Sequence, residues 1–148
     1  MRIETKYFGE LDISREDIIH FPNGIPGFIE EKEFVILNFE KNGLFQVLQS
    51  TNGINPSFVV IDPFLFVKNY QLEIDDTTVE QLEINNKEDV LALAIVTVKD
   101  PLTSSTANLQ APIIINQSKK IAKQYITKNK VYTTRETVFK QTSTEKEG

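Results

Sequence analysis

The chain has 148 residues, no Cys and a single His, His20, with 40% hydrophobic and 25% charged residues. This composition is typical of one globular domain that needs no disulfide or metal to fold, and it excludes thiol chemistry and multi-His metal sites. The longest apolar run covers residues 90–96, far fewer than the ~20 residues needed to cross a bilayer. The charged N-terminus does not resemble an export signal, so we expect a cytoplasmic protein.

The net charge of −5 is unevenly distributed along the chain. Residues 1–116 hold 8 Lys and Arg against 18 Asp and Glu, whereas residues 117–148 hold 8 against 3. The acidic side is densest over residues 73–89, where Lys87 is the only basic residue. An acidic body argues against a protein that holds phosphate backbones, and such an asymmetry often marks an interaction surface.

The first half of the chain alternates apolar and polar residues with the period of two that is typical of half-buried strands. Residues 2–8 form the first such run, and a turn is expected at Gly9-Glu10 before the alternation resumes at Leu11. Asn-Gly pairs at residues 42–43 and 52–53 favour hairpin turns. They separate three further predicted strands, which are residues 34–39, 44–49 and 57–61.

The second half of the chain contains one segment that is apolar on both faces, residues 90–98. Its β-branched residues and the following Pro101 favour a central strand over a buried helix. Residues 108–110 and 112–116 are predicted as the next pair, because Pro112 stands where a strand can begin without its N–H. Two segments have a helical pattern. An Asp-capped helix is predicted over residues 76–82, and the alternatives for residues 119–126 are a helical turn and a strand.

About eight to ten short strands and one short helix predict a mainly β protein. We expect a small antiparallel β-barrel-like single domain over residues 1–140. Residues 141–148 have no apolar member and are predicted to be a disordered tail.

The residues that could in principle take part in catalysis or ligand binding are better explained by structural roles. His20 has no nucleophile or orienting carboxylate in a recognisable pattern. Residues 24–27, GIPG, lack the spacing of a phosphate-binding loop and favour a rigid turn. No catalytic residue, metal ligand or cofactor site is therefore predicted.

Three other features have both a structural and a binding interpretation. The carboxylates of residues 73–89 lack EF-hand spacing, and they form either a solvated face or a docking surface for a basic partner. The apolar cluster at residues 64–67 either folds over the core or supplies an aromatic anchor for a partner. Tyr125 and Tyr132 among the basic residues are a weak signal for binding single-stranded RNA.

Two stretches resemble a known family. FPNGIPGF (residues 21–28), followed by the EFVIL strand, and VKDPLTSSTANLQAPIIIN (residues 98–116) are similar to the signature segments of the flagellar assembly factor FliW family. Between them, residues 55–74 resemble the middle region of that family. The similarity runs from about residue 5 to residue 132, and the combination KDP, TANL and AP in that order is the specific part.

The resemblance implies a β-barrel-like bacterial regulator with no enzymatic activity and no cofactor. FliW proteins bind and antagonise the carbon storage regulator CsrA, a small dimeric RNA-binding translational repressor. They also bind flagellin, and the two partners exclude each other, so flagellin controls its own translation. We expect no direct contact with nucleic acid or membrane, and a monomer when the protein is free.

Eight residues are expected to bind the partner. The acidic members would attract the basic surface of CsrA, whereas the others belong to the segment that resembles the family. Asp100-Pro101 and Asn108 have a structural alternative, because Asp-Pro favours a turn and Asn bonds readily to the backbone. The eight residues are Glu73, Asp75, Asp76, Lys99, Asp100, Pro101, Asn108 and Pro112.

Two other classes of protein are compatible with parts of the sequence. A single-stranded nucleic-acid-binding barrel of the OB type would bind RNA with a steep salt dependence. A carboxylate-based hydrolase would need a cleft with close carboxylates and a raised pKa.

Overall fold

The computed structural model describes residues 1–39 and 43–139, which form mainly short strands. Within them lie two helices, α1 (Pro63–Phe66) and α2 (Asp76–Gln81), and three short 3-10 turns, Arg15–Asp17, Lys87–Asp89 and Leu102–Ser104. The strands are β1 (Arg2–Thr5), β2 (Gly9–Asp12), β3 (Ile19–His20), β4 (Glu33–Asn38), β5 (Gln46–Ser50), β6 (Ser57–Ile61), β7 (Val90–Thr97), β8 (Thr106–Ala107), β9 (Ile113–Asn116), β10 (Ile121–Gln124) and β11 (Glu136–Thr137).

Seven of these strands close into a barrel. Their order is β7, β6, β5, β4, β3, β10 and β9, and β9 pairs again with β7. The pair of β3 and β10 is parallel, through His20 and Ile121, and the other six pairs are antiparallel. The predicted mainly β barrel is therefore confirmed, with one parallel pair in an otherwise antiparallel closure.

The barrel interior is filled by apolar side chains from alternate strand positions, as is usual for a small barrel. Leu93 of β7 and Ile113 of β9 are opposite each other and fully buried. Leu48 and Phe34 belong to the same cluster. The ring of Phe34 meets that of Phe21 edge to face, with 5.1 Å between the centroids.

The outer face of β7 and β9 is also buried. Ala92 and Ile114, which alternate with the interior residues, pack with Leu82 and Tyr125 in a second cluster. Further along, Ala94 and Ile61 pack with Tyr70, Leu109 and Phe139. A strand that is buried on both faces has no position for alternating polar residues. This double burial explains why residues 90–96 are apolar throughout.

Several local predictions differ from the structure because side chains bond to the backbone. Residues 63–66, for which no helix was predicted, form α1, whose first turn is capped by the Asp62 carboxylate accepting from the Phe64 N–H at 2.9 Å. The first turn lies at residues 6–8 and not at Gly9-Glu10, since the Thr5 hydroxyl accepts from the Phe8 N–H and donates to the Gly9 carbonyl. Residues 1–39 and 43–139 thus contain two short helices where one was predicted.

The C-terminal half shows a similar correction. Residues 108–110, predicted as a strand, are a turn, because Asn108 Oδ1 accepts from the N–H groups of Gln110 (3.2 Å) and Ala111 (2.9 Å). The undecided segment at residues 119–126 contains the strand β10. Helix α2 is present where it was predicted, and its cap is Asp75.

The predicted rigid turn at residues 24–27 is present. The Phe28 N–H donates to the Ile25 carbonyl at 2.6 Å, closing the turn. Gly24 has a φ of +67°, and a Cβ there would overlap the backbone of Ile29. A glycine is therefore required at this position.

The predicted disordered tail, residues 141–148, lies outside the described residues. Within the described ranges, no helix is long and apolar enough to span a membrane.

Candidate protein-interaction surface

Residues 69–83, which we call the strap, cross the outer face of the barrel beside β9. Near its start, the Tyr70 hydroxyl donates to the Leu109 carbonyl at 2.9 Å. At its middle, the Asp75 N–H donates to the Tyr125 hydroxyl at 3.3 Å. At its end, Asn116 Nδ2 donates to the carbonyls of Leu82 (2.8 Å) and Glu83 (3.0 Å). The strap therefore holds most of the acidic stretch in a defined place on the surface.

The carboxylate of Asp75 has a local structural role. It accepts from the Thr78 N–H at 2.9 Å and so caps α2, which satisfies a donor that the helix itself leaves free. The pKa of Asp75 is lowered, first by hydrogen bonds from the side chain and backbone of Thr78, then by the nearby charges of Lys128 and Lys123. Asp75 is therefore ionised at neutral pH and already engaged by its own chain.

Basic side chains of the C-terminal part lie against the strap. Lys119 Nζ is 3.4 Å from Glu83 Oε1, and Lys123 Nζ donates to Gln81 Oε1 at 2.9 Å. The Lys119–Glu83 pair is about half exposed on both sides, so it adds at most about 1 kcal/mol to stability. Part of the positive charge after residue 116 thus compensates the protein's own acidic strap.

Other carboxylates of this region have no such partner among the described residues. Glu73, Asp76, Glu80 and Glu88 are exposed, and none of them forms an ion pair within residues 1–39 and 43–139. These four carboxylates keep the outer surface of the strap and the following turn negative. Such a field favours the approach of a cationic partner.

A polar hollow of about 430 Å³ lies between the strap and the chain after β10. Its lining combines the side chains of Glu73 and Asp75 with Lys128 and Asn129. Both signs of charge therefore meet at this hollow, together with the ring of Tyr125.

An apolar groove of about 490 Å³ lies on the other side of Ile74, between α1, α2 and the start of β7. Phe64 of α1 lines it and is 52% exposed, and the neighbouring Leu65 is 64% exposed. The sequence had left the cluster at residues 64–67 undecided between core and surface. The structure divides it, since Phe66 and Val67 pack on the core while Phe64 and Leu65 face outward.

The remaining predicted residues lie beyond the other end of β7. Lys99, Asp100 and Pro101 are exposed in the loop that follows this strand. The Lys99 N–H donates to Ser105 Oγ at 2.7 Å, and Ser104 Oγ donates to the Pro101 carbonyl at 2.7 Å. These two bonds order the loop and leave the three side chains accessible.

Asn108 and Pro112 have structural roles in this chain. The amide oxygen of Asn108 is used by the turn at residues 108–111. Pro112 is buried, and its carbonyl accepts from the Tyr125 N–H at 2.8 Å. Both residues shape the loop before β9, and Pro112 offers little surface to a partner.

The exposed predicted residues therefore form two groups. One group is at the middle of the strap, which bonds to Tyr125, and the Tyr125 N–H bonds to the Pro112 carbonyl, one residue before Ile113 opposite Leu93. The other group follows Thr97. The four residue steps from Leu93 to Thr97, at ~3.3 Å each, correspond to about 13 Å along the strand. A standard interface covers ~800 Å² of each partner, a patch roughly 30 Å across. One protein of ordinary size can span both groups.

Sequence reasoning singled out one groove residue, Phe64 in the cluster at residues 64–67, and missed the others. Val79 and Ile84 were not assigned any role, and Val90 was assigned to the core strand. The sequence feature that could have indicated the groove is in α2, where Val79 is apolar among Thr, Glu and Gln.

The arrangement gives no support to a catalytic centre. His20 Nδ1 is 3.8 Å from Glu33 Oε2, and both side chains are about half exposed. Across the two described ranges, no three His, Asp or Glu side chains come together in a way that could hold a metal ion. The lowered pKa of Asp75 is opposite to the shift that a general acid would need.

Fold and surface together define a small closed β-barrel whose outer face has both charged and apolar regions. The profile of the FliW protein family matches residues 2–138, and the chain belongs to this family.

Individual relatives agree with this assignment. The chain is 50% identical over 126 residues to the flagellar assembly factor FliW of Oceanobacillus iheyensis, covering 85% of this chain and 86% of that protein. It is 47% identical over 135 residues to the flagellar assembly factor FliW of Bacillus subtilis, covering 91% and 94%. The crystal structure of a flagellar assembly factor FliW superposes with a TM-score of 0.89 at 45% identity, covering 95% of this chain and 99% of that one. The family resemblance in the sequence is therefore confirmed.

Proposed function

We propose that this protein is a cytoplasmic regulator of flagellar assembly that binds and antagonises the translational repressor CsrA and is itself sequestered by flagellin. Membership of the FliW family, whose relatives are named flagellar assembly factors, supports the flagellar role. The protein acts by binding and not by catalysis. It is a monomer when free and contacts neither nucleic acid nor membrane.

The observation that carries the proposal is the uncompensated negative charge of the strap. An RNA-binding repressor presents basic surface to phosphates, and the exposed carboxylates of Glu73, Asp76 and Glu80 are complementary to such a surface. Complementary fields accelerate encounter and disfavour wrong partners. The same charge repels RNA, so the regulator captures the repressor without binding the message.

The loop at Lys99, Asp100 and Pro101 forms the second part of the docking surface. Its side chains are exposed and its backbone is ordered by Ser104 and Ser105. A preorganised loop loses little conformational entropy on binding. We therefore propose that the strap attracts the partner and that this loop orients it.

Flagellin and CsrA exclude each other in this proposal. When flagellin leaves the cell, the freed regulator captures CsrA and flagellin translation resumes. When flagellin accumulates, it occupies the regulator and CsrA is released. Such feedback needs only two competing equilibria with suitable affinities.

Isothermal titration calorimetry with purified partners tests the proposal. We expect the protein to bind CsrA and flagellin in separate titrations, and a complex with flagellin to give no heat when CsrA is added. A filter-binding assay with single-stranded RNA and the protein alone should show no retention. Binding of RNA with a steep salt dependence, or failure to bind both protein partners, would contradict the proposal.

A further inference from the structure

The apolar groove is continuous with the acidic strap. Ile74 lines both the groove and the polar hollow that contains Glu73 and Asp75. The groove wall is completed by Leu72 and Val79, which belong to the strap, and by Ile84 just after it. A partner attracted by the strap's carboxylates therefore meets an apolar depression directly beside them.

The first half of β7 has one unpaired side at this groove. Residues Val90–Leu93 pair with β9. On the opposite side, β6 pairs with β7 only through Val60–Ile95 and Ile61–Ala94, after which the chain leaves the sheet as α1. Over residues 1–39 and 43–139, no strand continues this edge toward Val90. An unpaired edge beside an apolar groove is suited to the addition of an extended segment.

The charge around the groove defines the chemistry of that segment. Lys87 is the single charged residue in the lining, and it is followed in sequence by Glu88 and Asp89, which precede Val90. Glu80 follows Val79 and is exposed. An occupant with apolar side chains in the groove would thus place flanking residues near carboxylates, where Lys or Arg is favoured.

We propose that this groove receives an extended segment of the basic protein partner, with apolar side chains directed into it and Lys or Arg at its flanks. This inference rests on the proposed function, because the acidic strap must first attract that partner. It adds the apolar anchor that long-range charge alone does not provide, since burial of apolar surface is the dominant favourable term in most protein–protein association.

Replacing a groove residue tests the apolar contact independently of the electrostatic attraction between the two proteins. Val79→Glu adds a negative charge, which favours a basic partner at long range, but it removes an apolar contact in the groove. We expect calorimetry with full-length CsrA to show an affinity at least about tenfold weaker for Val79→Glu than for wild type. Val131→Glu is the matched control, because Val131 is 77% exposed and does not line the groove. It should bind within about twofold of wild type.

The outcomes distinguish the groove from the proposed function. If wild type binds CsrA and Val79→Glu binds equally well, the groove is not the anchor site, whereas the proposed function stands. If wild type fails to bind CsrA, both are overturned. A thermal melt of each variant shows whether Val79→Glu remains folded.

A second measurement does not depend on the stability of that variant. The chain has no Cys, so Val79→Cys and Val131→Cys each carry one environment-sensitive dye. Addition of CsrA should shift the emission to the blue at position 79 and leave position 131 unchanged. No shift at position 79 would overturn the proposal.

Hydrogen exchange tests the extended conformation of the occupant. CsrA should slow exchange of those amides in Val90–Leu93 that face away from β9, because an added strand would accept their hydrogen bonds. Unchanged exchange there, with the dye shifted, would indicate a helical or compact occupant and would overturn the extended one.

Discussion

The barrel interior is packed by apolar side chains from all seven strands, whereas the strap outside it is fixed by a few hydrogen bonds and by the buried side chains of Tyr70 and Leu82. Inside, Phe34, Leu93 and Ile113 are fully buried and have no polar partner to satisfy. Outside, the hydroxyls of Tyr70 and Tyr125 and the amide of Asn116 hold the strap. Interior packing determines the barrel, and the outer bonds determine where the negative charge is presented. Stability and binding should therefore respond to different substitutions.

The largest expected effect is a loss of interior packing. Phe34→Ala removes a fully buried ring that contacts Phe21, so we expect the free energy of unfolding to fall by about 3–5 kcal/mol. Phe64→Ala, on the outer surface, removes only an edge-to-face contact with Tyr70 and should cost about 1 kcal/mol. Urea unfolding of both variants measures the difference. Equal losses would show that the interior does not dominate stability.

A smaller effect is expected where the strap ends. Asn116 is buried and donates to two strap carbonyls, so Asn116→Ala leaves these groups unpaired and should cost about 1–3 kcal/mol. Asn86→Ala is the control, because the Asn86 side chain makes no capping bond. It should change stability by less than about 0.5 kcal/mol. If the two substitutions have the same effect, the strap is not held by Asn116.

The start of the strap should respond to alkaline pH. Burial, and then the nearby Tyr132, raise the pKa of Tyr70 from 10.0 to about 12. The folded state therefore keeps this proton more tightly than the unfolded state does, so the associated stability is complete below pH 10 and is lost as the pH rises toward 12. Melting temperatures of wild type should fall over this range more steeply than those of Tyr70→Phe. Tyr7→Phe, at the exposed first turn, controls for general alkaline effects. If the melting temperatures of wild type and Tyr70→Phe fall in parallel with pH, Tyr70 is not responsible for the loss of stability.

The smallest effect on stability is expected from the basic residues that lie against the strap. Lys119→Gln combined with Lys123→Gln should lower the free energy of unfolding by less than about 1 kcal/mol, because both contacts are exposed. The same pair should strengthen binding of CsrA a few-fold at low salt, since it leaves the strap more negative.

The matched control changes the same charge elsewhere. Lys6→Gln with Arg15→Gln alters residues near the hairpin of β1 and β2, whose cluster packs on Val35 of β4, away from β7. At the same salt concentration, this pair should change affinity clearly less than the pair beside the strap. An equal gain in both pairs would mean that net charge, and not the strap, controls attraction.

The contrast between interior packing and the hydrogen bonds outside the barrel also explains which elements the sequence could predict. The alternation of β4 to β6 and the apolar run of β7 follow from burial, which determines the type and spacing of residues. The turns at Thr5 and Asn108 and the helix α1 depend on hydrogen bonds between side chains and the backbone, which the spacing of apolar residues does not reveal. Closure through the parallel pair of His20 and Ile121 joins residues a hundred positions apart.

The site was partly predictable for a related reason. Charge is visible in composition, so the strap's carboxylates could be named from the sequence. Glu83 pairs with Lys119, and the charges of Lys123 and Lys128 lie near Asp75. These contacts depend on β10 and the chain after it lying beside the strap, which only the fold provides. The groove at Val79 is formed where β6 ends early, and this was equally hidden in the sequence.

Charge reversal on the strap tests the central claim most directly. Glu73→Lys combined with Asp76→Lys reverses two exposed carboxylates and leaves the cap at Asp75 intact. Glu4→Lys combined with Asp17→Lys makes the same change in net charge beside the first hairpin. Calorimetry with CsrA at low salt should show affinity reduced about tenfold or more for the strap pair and by less than about threefold for the control pair. Unchanged affinity of the strap pair, or equal losses in both pairs, would contradict the acidic strap as the docking surface.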